Sequence, residues 1–175
     1  MSESKKTLKI KKKNIKKKNN IYSQAILSKK VVISIKNINT NLKNNLLELL
    51  KINYGDKCIE NGFVIKNSIS IITYSSGYID GKNVIFEVVF ECTICLPSEG
   101  TIITCICNNV TKAGVKASLN DDYNPLIIFI ARDHNYLSTK FAEIKENDEI
   151  KVRIIGHRFE LNDKKISVIA ELYNE

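Results

Sequence analysis

The stretch "ECTICLPSEGTIITCIC", Glu91 to Cys107, decides how the chain is divided, because apolar β-branched runs lie on both sides of a proline and a glycine. Proline cannot donate a hydrogen bond to a strand ladder, and "LPSEG" has the composition of a turn. The flanking runs are typical of strands. We therefore predict a domain boundary at Pro97, with residues 21–97 in one domain and residues 98–175 in the next.

The same stretch holds four of the five cysteines of the chain, a number that raises the possibility of a zinc site. Zinc needs ligands that converge, whereas Cys92 and Cys95 are three apart in a strand and should point to opposite faces. Cys105 and Cys107 share a face, but among isoleucines they are typical of small buried apolar residues. The sequence favours reduced core cysteines and no metal, with a zinc-dependent interaction module as the less favoured alternative.

N-terminal to this stretch, the pattern predicts an α+β domain. "SQAILSKKVVISIKNI" is typical of a strand, and "NTNLKNNLLELLKINYG" places leucines on one helical stripe, with Asn39 or Thr40 as N-cap and Gly55 as the stop signal. Two further strand-forming runs follow, "KCIENGFVIKNSISIITYS" and "GKNVIFEVVFECTICL". One helix covering one face of a small antiparallel sheet is the expected arrangement.

C-terminal to Pro97, the pattern is all β. Five short strand-like runs occur, "GTIITCICNNVT", "VKASL", "PLIIFIARD", "IKVRIIGHRFEL" and "KISVIAEL", the last two joined by a tight turn at Asn162 and Asp163. Gly156 interrupts an alternating run and predicts a β-bulge. Five strands with such a bulge favour a small closed barrel of the OB type.

The positive charge is concentrated in one segment. Residues 1–20 carry nine lysines and one acid, and the rest of the chain is balanced, with 18 basic and 18 acidic residues. We predict that residues 1–20 form a disordered basic tail, with a functional basic arm, either a nuclear-import signal or a nonspecific contact with nucleic acid, as the alternative. From Ser98 onward there are ten basic and twelve acidic residues, so charge alone does not make the barrel a nucleic-acid binder. No run is long and apolar enough for a membrane span or a secretion signal, so we expect an intracellular protein with no membrane contact.

The chain shows no catalytic constellation. His134 and His157 have no nucleophile motif near them, and no phosphate-binding glycine-lysine loop occurs. We predict a protein that is not an enzyme, without catalytic residues or cofactors.

The order of these parts resembles the stalk subunit of multi-subunit DNA-dependent RNA polymerases, the seventh subunit of polymerase II and its archaeal counterpart. The resemblance extends over residues 21–175, and the similar segments are "GDKCIENGFVIKNSISI", "LPSEG", "NNVTKAGV" and "FIARDH". The resemblance implies an α+β tip domain followed by an all-β, five-stranded S1-type OB barrel. It also implies a noncatalytic subunit that docks on the polymerase core and places its barrel near the RNA exit, for initiation and transcript handling.

The resemblance further implies site residues and partners. Asn61, Gly62 and Phe63 correspond to the tip loop that docks on the core subunits, with Phe63 as an aromatic anchor; the alternative is that Phe63 packs within the sheet. A fourth-subunit-like stalk partner and nascent RNA are the other implied partners. The RNA-binding candidates are basic and aromatic residues of the barrel, although a lysine stands at the first of them where the family usually has an aromatic: Lys116, Phe129, Arg132, His134 and Arg153.

Two observations keep the interpretation open. Lysine outnumbers arginine 24 to 3, which is typical of AT-biased coding and favours a large DNA virus, hence a viral factory or virion; otherwise we expect the nucleus. A barrel of this type also occurs in S1-type RNA-binding factors of translation or RNA decay, which is the alternative function.

Overall fold

Two β structures follow each other along the chain, an antiparallel sheet and a closed barrel. They are described here from a computed structural model that covers residues 21–121, 123–135 and 139–173. The predicted tail, residues 1–20, lies outside the described residues. Neither helix in the described part of the chain is long and apolar enough to cross a membrane.

The first sheet has six strands built around one long central strand. β6 pairs along its whole length with β1, from Tyr22 opposite Cys95 to Ser34 opposite Asn83, and its other edge pairs with β3, β4 and β5. Where the sequence pattern indicated two strand runs after the helix, turns divide the chain into five strands. The bounds are β1 Tyr22–Ser34, β2 Lys57–Ile59, β3 Gly62–Val64, β4 Ser70–Tyr74, β5 Tyr78–Asp80 and β6 Asn83–Cys95.

The helix α1, Leu42–Tyr54, covers one face of this sheet. Leu46 and Leu50 are fully buried and pack in the same hydrophobic cluster as the inward residues of the sheet, as the leucine stripe predicts. The N-cap is Asn41 rather than the expected Asn39 or Thr40, and the side chain of Asn39 accepts a hydrogen bond from the Asn41 backbone at 3.0 Å. The helix ends at Gly55, as predicted.

The barrel contains the five strands that the sequence predicts. Its strand order is β10-β11-β9-β8-β7, closed by antiparallel pairing of β10 with β7, and β11 lies parallel to β9. The register shift between Ile154 and Gly156 confirms the predicted bulge. A five-residue helix, α2 (Thr139–Glu143), was not predicted, because one turn is too short to show a helical period. The bounds are β7 Ile102–Val110, β8 Gly114–Ser118, β9 Leu126–Ala131, β10 Glu149–Arg158 and β11 Ile166–Leu172.

The sheet and the barrel meet at the end of the sheet where β1 begins and β6 ends. Four residues of the sheet side pack in the barrel's hydrophobic cluster: Ile21, Cys58, Phe63 and Cys95. The backbone of Cys58 exchanges two hydrogen bonds with the β10–β11 loop, donating to the Asp163 carbonyl at 2.8 Å and accepting from the Asn162 amide at 2.9 Å. The two β structures are therefore joined by apolar packing and by backbone hydrogen bonds.

Candidate functional site

A row of outward-facing side chains crosses four strands of the barrel. Lys116 on β8 lies directly opposite Phe129 on β9. On the other side of Lys116 its strand partner is Asn109 on β7, and on the other side of Phe129 the partner is Ile169 on β11. All four are exposed, with 44% of Phe129 and 48% of Ile169 accessible to solvent. We call Asn109, Lys116, Phe129 and Ile169 the barrel row. It places a cation beside an open aromatic ring, the combination that binds single-stranded nucleic acid.

The alternation of the two strands explains why these side chains face outward. In β8, Val115 and Ala117 are buried in the barrel interior, so Lys116 between them must point to solvent. In β9, Ile128 and Ile130 are buried in the same way and leave Phe129 outside. The buried apolar positions of the barrel strands thus fix the outward direction of these side chains.

Two further candidates, Arg132 and His134, follow β9 in a short 3-10 turn and are exposed. Since Ala131 pairs with Gly114, this turn lies at the end of β9 that adjoins the start of β8. The guanidinium of Arg132 lies 5.4 Å from the centre of the Phe141 ring. The structure therefore places these two residues beyond the end of β9, to one side of the barrel row.

The turn is held by a residue that the sequence interpretation missed. Asn135 is buried, its amide donates to the Ala131 carbonyl at 2.9 Å, and its side-chain oxygen accepts from the Leu172 backbone at 2.9 Å. A buried amide satisfied on both sides fixes the backbone around it. Nothing in the local sequence distinguishes Asn135 from an ordinary loop asparagine.

The remaining RNA-binding candidate, Arg153, lies apart from the others. It is on β10, which in the closed barrel is separated from β8 by β7 on one side and by β11 and β9 on the other. Its guanidinium pairs with Glu171 at 3.5 Å and lies 5.3 Å from the Tyr173 ring centre. Both contacts are within the chain, so Arg153 does not extend the barrel row.

The segment expected to dock on a polymerase forms the β2–β3 turn. Glu60 and Asn61 are exposed at the turn, whereas Gly62 is buried and only 3% of Phe63 is accessible to solvent. The Phe63 ring packs in the hydrophobic cluster of the barrel, so it is not an exposed aromatic anchor, and it lies outside the cluster of the sheet in which the alternative placed it. Docking through the segment that includes Asn61, Gly62 and Phe63 stays a prediction.

The five cysteines are buried, as the core interpretation predicts. Cys92 packs in the cluster of the first sheet, while Cys95 packs in the cluster of the barrel, so their thiols lie in different cores. In the part of the chain that the structure describes, no three histidine, cysteine, aspartate or glutamate side chains gather around a possible metal position. Burial raises the pKa of the Cys58 and Cys92 thiols to about 11, and of the Cys95 and Cys105 thiols to about 12.

We expect these thiols to be unreactive in the folded protein. At pH 8, a disulfide reagent such as DTNB should modify none of the five rapidly, and all five after unfolding in urea, because the thiolate is the attacking species. The raised thiol pKa values also make the free energy of unfolding depend on pH. The contribution of the thiols to this free energy is fully present below the unfolded thiol pKa of about 8.5 and decreases as pH rises toward the folded values. A single fast thiol in the native protein would contradict this assignment.

The fold and the site together define a mostly β protein with a closed five-stranded barrel that exposes an aromatic-basic row. No family model matches the chain. A protein of Acanthamoeba polyphaga mimivirus, named "Putative DNA-directed RNA polymerase subunit L376", is 33% identical over 169 residues, which covers 87% of this chain and 82% of that protein. The chain belongs to the family of this viral polymerase subunit.

Proposed function

We propose that the protein is a noncatalytic stalk subunit of a viral DNA-directed RNA polymerase. The observation that carries this proposal is the 33% identity to the mimivirus subunit over 87% of the chain, since a match of that extent includes residues of both the sheet and the barrel. In this proposal residues 21–97 are a tip domain that docks on the polymerase core, residues 98–175 are an S1-type OB barrel, and the location is the viral factory or the virion.

The strand order of the barrel supports the OB assignment. Numbered from its own first strand, the barrel pairs strand 1 with strands 2 and 4 and closes through a parallel contact between strands 3 and 5. OB folds bind oligonucleotides on the face of strands 2 and 3. Lys116 and Phe129 stand side by side on these two strands, β8 and β9.

This placement supports contact with nascent RNA. Phe129 would stack on a base, which contributes roughly 1 to 3 kcal/mol, while Lys116 and Arg132 would pair with phosphates. His134, in the same turn as Arg132, would add a second ring to one side of the row. With one aromatic at its centre, the row supports a sequence-tolerant grip on a passing transcript.

The first sheet supports a role in assembly. Across β1, β6 and β5, Val32, Ile85 and Tyr78 lie side by side on the face away from the helix, with 53% of Val32 and 55% of Tyr78 accessible to solvent. Clustered exposed apolar side chains mark protein contact surfaces. In this proposal the surface contacts polymerase core subunits or a fourth-subunit-like stalk protein.

The proposal is tested by purifying the tagged protein from its native system and identifying what comes with it by mass spectrometry. We expect the two largest polymerase subunits in near-equal amounts. The variant Asn61→Arg should recover much less polymerase, because it adds a bulky charge to the exposed β2–β3 turn, while Asn44→Arg, an exposed site on α1, should behave as the unmodified protein.

Two other results have clear meanings. Full recovery of polymerase with Asn61→Arg would contradict docking through this turn but not the stalk role. Ribosomal or RNA-decay components without polymerase would support the alternative, an S1-type RNA-binding factor.

A further inference from the structure

A lysine-lined cleft lies where the sheet meets the barrel. It has a volume of about 610 Å³ and is bounded by the end of α1, the β2–β3 hairpin and two barrel loops. Its charged and aromatic lining includes four lysines, with one carboxylate among the lining residues: Lys51, Lys57, Lys66, Lys164, Asp56 and Tyr123. This volume is in the range of ligand-binding pockets.

The groups of this cleft differ in whether they already have a partner. Lys51 pairs with Glu48 at 3.2 Å, and Lys57 donates to the Ile52 carbonyl at 3.0 Å. The Asp56 carboxylate accepts the backbone amide of Lys66 at 3.2 Å. Within the described residues, the ammonium groups of Lys66 and Lys164 make no hydrogen bond or ion pair. The cleft therefore offers two free cations to an anion.

The walls of the cleft are fixed from both sides. The Cys58 backbone is bonded to the β10–β11 loop that carries Lys164, through Asn162 and Asp163. On the other wall, the Tyr22 hydroxyl donates to the Asp121 carboxylate at 2.7 Å, two residues before Tyr123. Burial, as the larger cause, raises the pKa of the Tyr22 hydroxyl, and this hydrogen bond raises it further. A pre-formed cleft loses little entropy when a ligand binds.

The position of the cleft indicates which ligand fits it. Because β9 and β11 are parallel, the loops before them, which carry Tyr123 and Lys164, lie at the same end of the barrel. Phe129 is three residues from the start of β9, about 10 Å along the strand. A single strand that stacks on Phe129 can thus continue to the Tyr123 ring, which is 41% accessible to solvent.

We propose that this cleft binds one nucleotide of a single-stranded nucleic acid, with Lys66 and Lys164 on the two phosphates that flank it and Tyr123 stacked on its base. The inference rests on the proposed function for the path over the barrel row. It adds a second contact point at the joint between the sheet and the barrel, so that the bound strand spans both parts of the protein.

The test measures binding of the full chain to a fluorescein-labelled 12-residue oligouridylate by anisotropy over a series of salt concentrations. The double variant Lys66→Gln and Lys164→Gln should make the slope of log affinity against log salt shallower by about 1.4, since each lost phosphate contact on a single strand removes about 0.7. The matched control, Lys36→Gln and Lys82→Gln, neutralises two exposed lysines at the far end of the sheet and should leave the slope unchanged. Tyr123→Ala should weaken binding by roughly fivefold or more at every salt concentration.

Four outcomes overturn the inference. Equal slope changes in the two double variants would show that only overall charge matters. Polyglutamate and unlabelled oligouridylate can be compared, at equal charge, as competitors of the labelled oligouridylate. If polyglutamate competes as effectively, the cleft would be assigned to an acidic peptide. Loss of binding in Phe129→Ala, with no change in the cleft variants, would overturn the cleft while leaving the RNA contact of the proposed function intact. Absence of binding by the unmodified chain would overturn both the cleft and that RNA contact.

Discussion

Replacing Phe63 with alanine is expected to lower the free energy of unfolding by about 3 to 5 kcal/mol. The ring is 3% accessible and packs in the barrel's hydrophobic cluster, although its backbone belongs to the first sheet. Its removal leaves a cavity at the joint between the two β structures, where Cys58 and Cys95 also pack. The loss is measured by urea unfolding followed by circular dichroism.

Phe129→Ala is the matched control, because the side chain removed is the same and only its surroundings differ. With 44% of Phe129 accessible, we expect a smaller loss, of about 1 kcal/mol, from its partial burial and its strand position. Equal effects of the two substitutions would mean that Phe63 is not part of the core. If the expected difference is found, loss of polymerase binding in Phe63→Ala is no evidence for docking, since the fold itself is weakened.

The parts of the fold that the sequence predicted are those with a local signal. The five barrel strands follow from period-two alternation, and Gly156 marks its bulge because it interrupts that alternation. The opposite orientation of Cys92 and Cys95 needs only the geometry of a single strand, and their thiols do lie in different cores.

The parts that escaped prediction depend on contacts between distant segments. That Lys116 lies opposite Phe129 is a matter of register, which no single strand reveals. The burial of Phe63 requires knowing that the β2–β3 hairpin packs on the barrel. The cleft brings together Asp56, Tyr123 and Lys164, which are separated by more than 100 residues from first to last.

Gly62→Ala is expected to lower the free energy of unfolding by about 3 kcal/mol or more. Gly62 has a φ of +123°, which side chains with a Cβ rarely adopt, and an added Cβ would lie 2.7 Å from the Cys95 carbonyl oxygen and 2.9 Å from a methyl of Ile94. Backbone strain and overpacking each contribute roughly 1 to 3 kcal/mol. To relieve this overlap, β3 would have to move away from β6. That movement would disturb the packing of Phe63 against the barrel.

Gly81→Ala separates the two causes. Gly81 also has a positive φ, +58°, but an added Cβ would meet no atom within 4 Å, so only strain of about 1 to 2 kcal/mol is expected. Equal losses at both sites in urea unfolding would contradict the close approach of β3 to β6. The expected difference would show that Gly62 and Phe63 are required by the joint between sheet and barrel. Any direct contact between this turn and a polymerase would then be made by the exposed residues of the turn, Glu60 and Asn61.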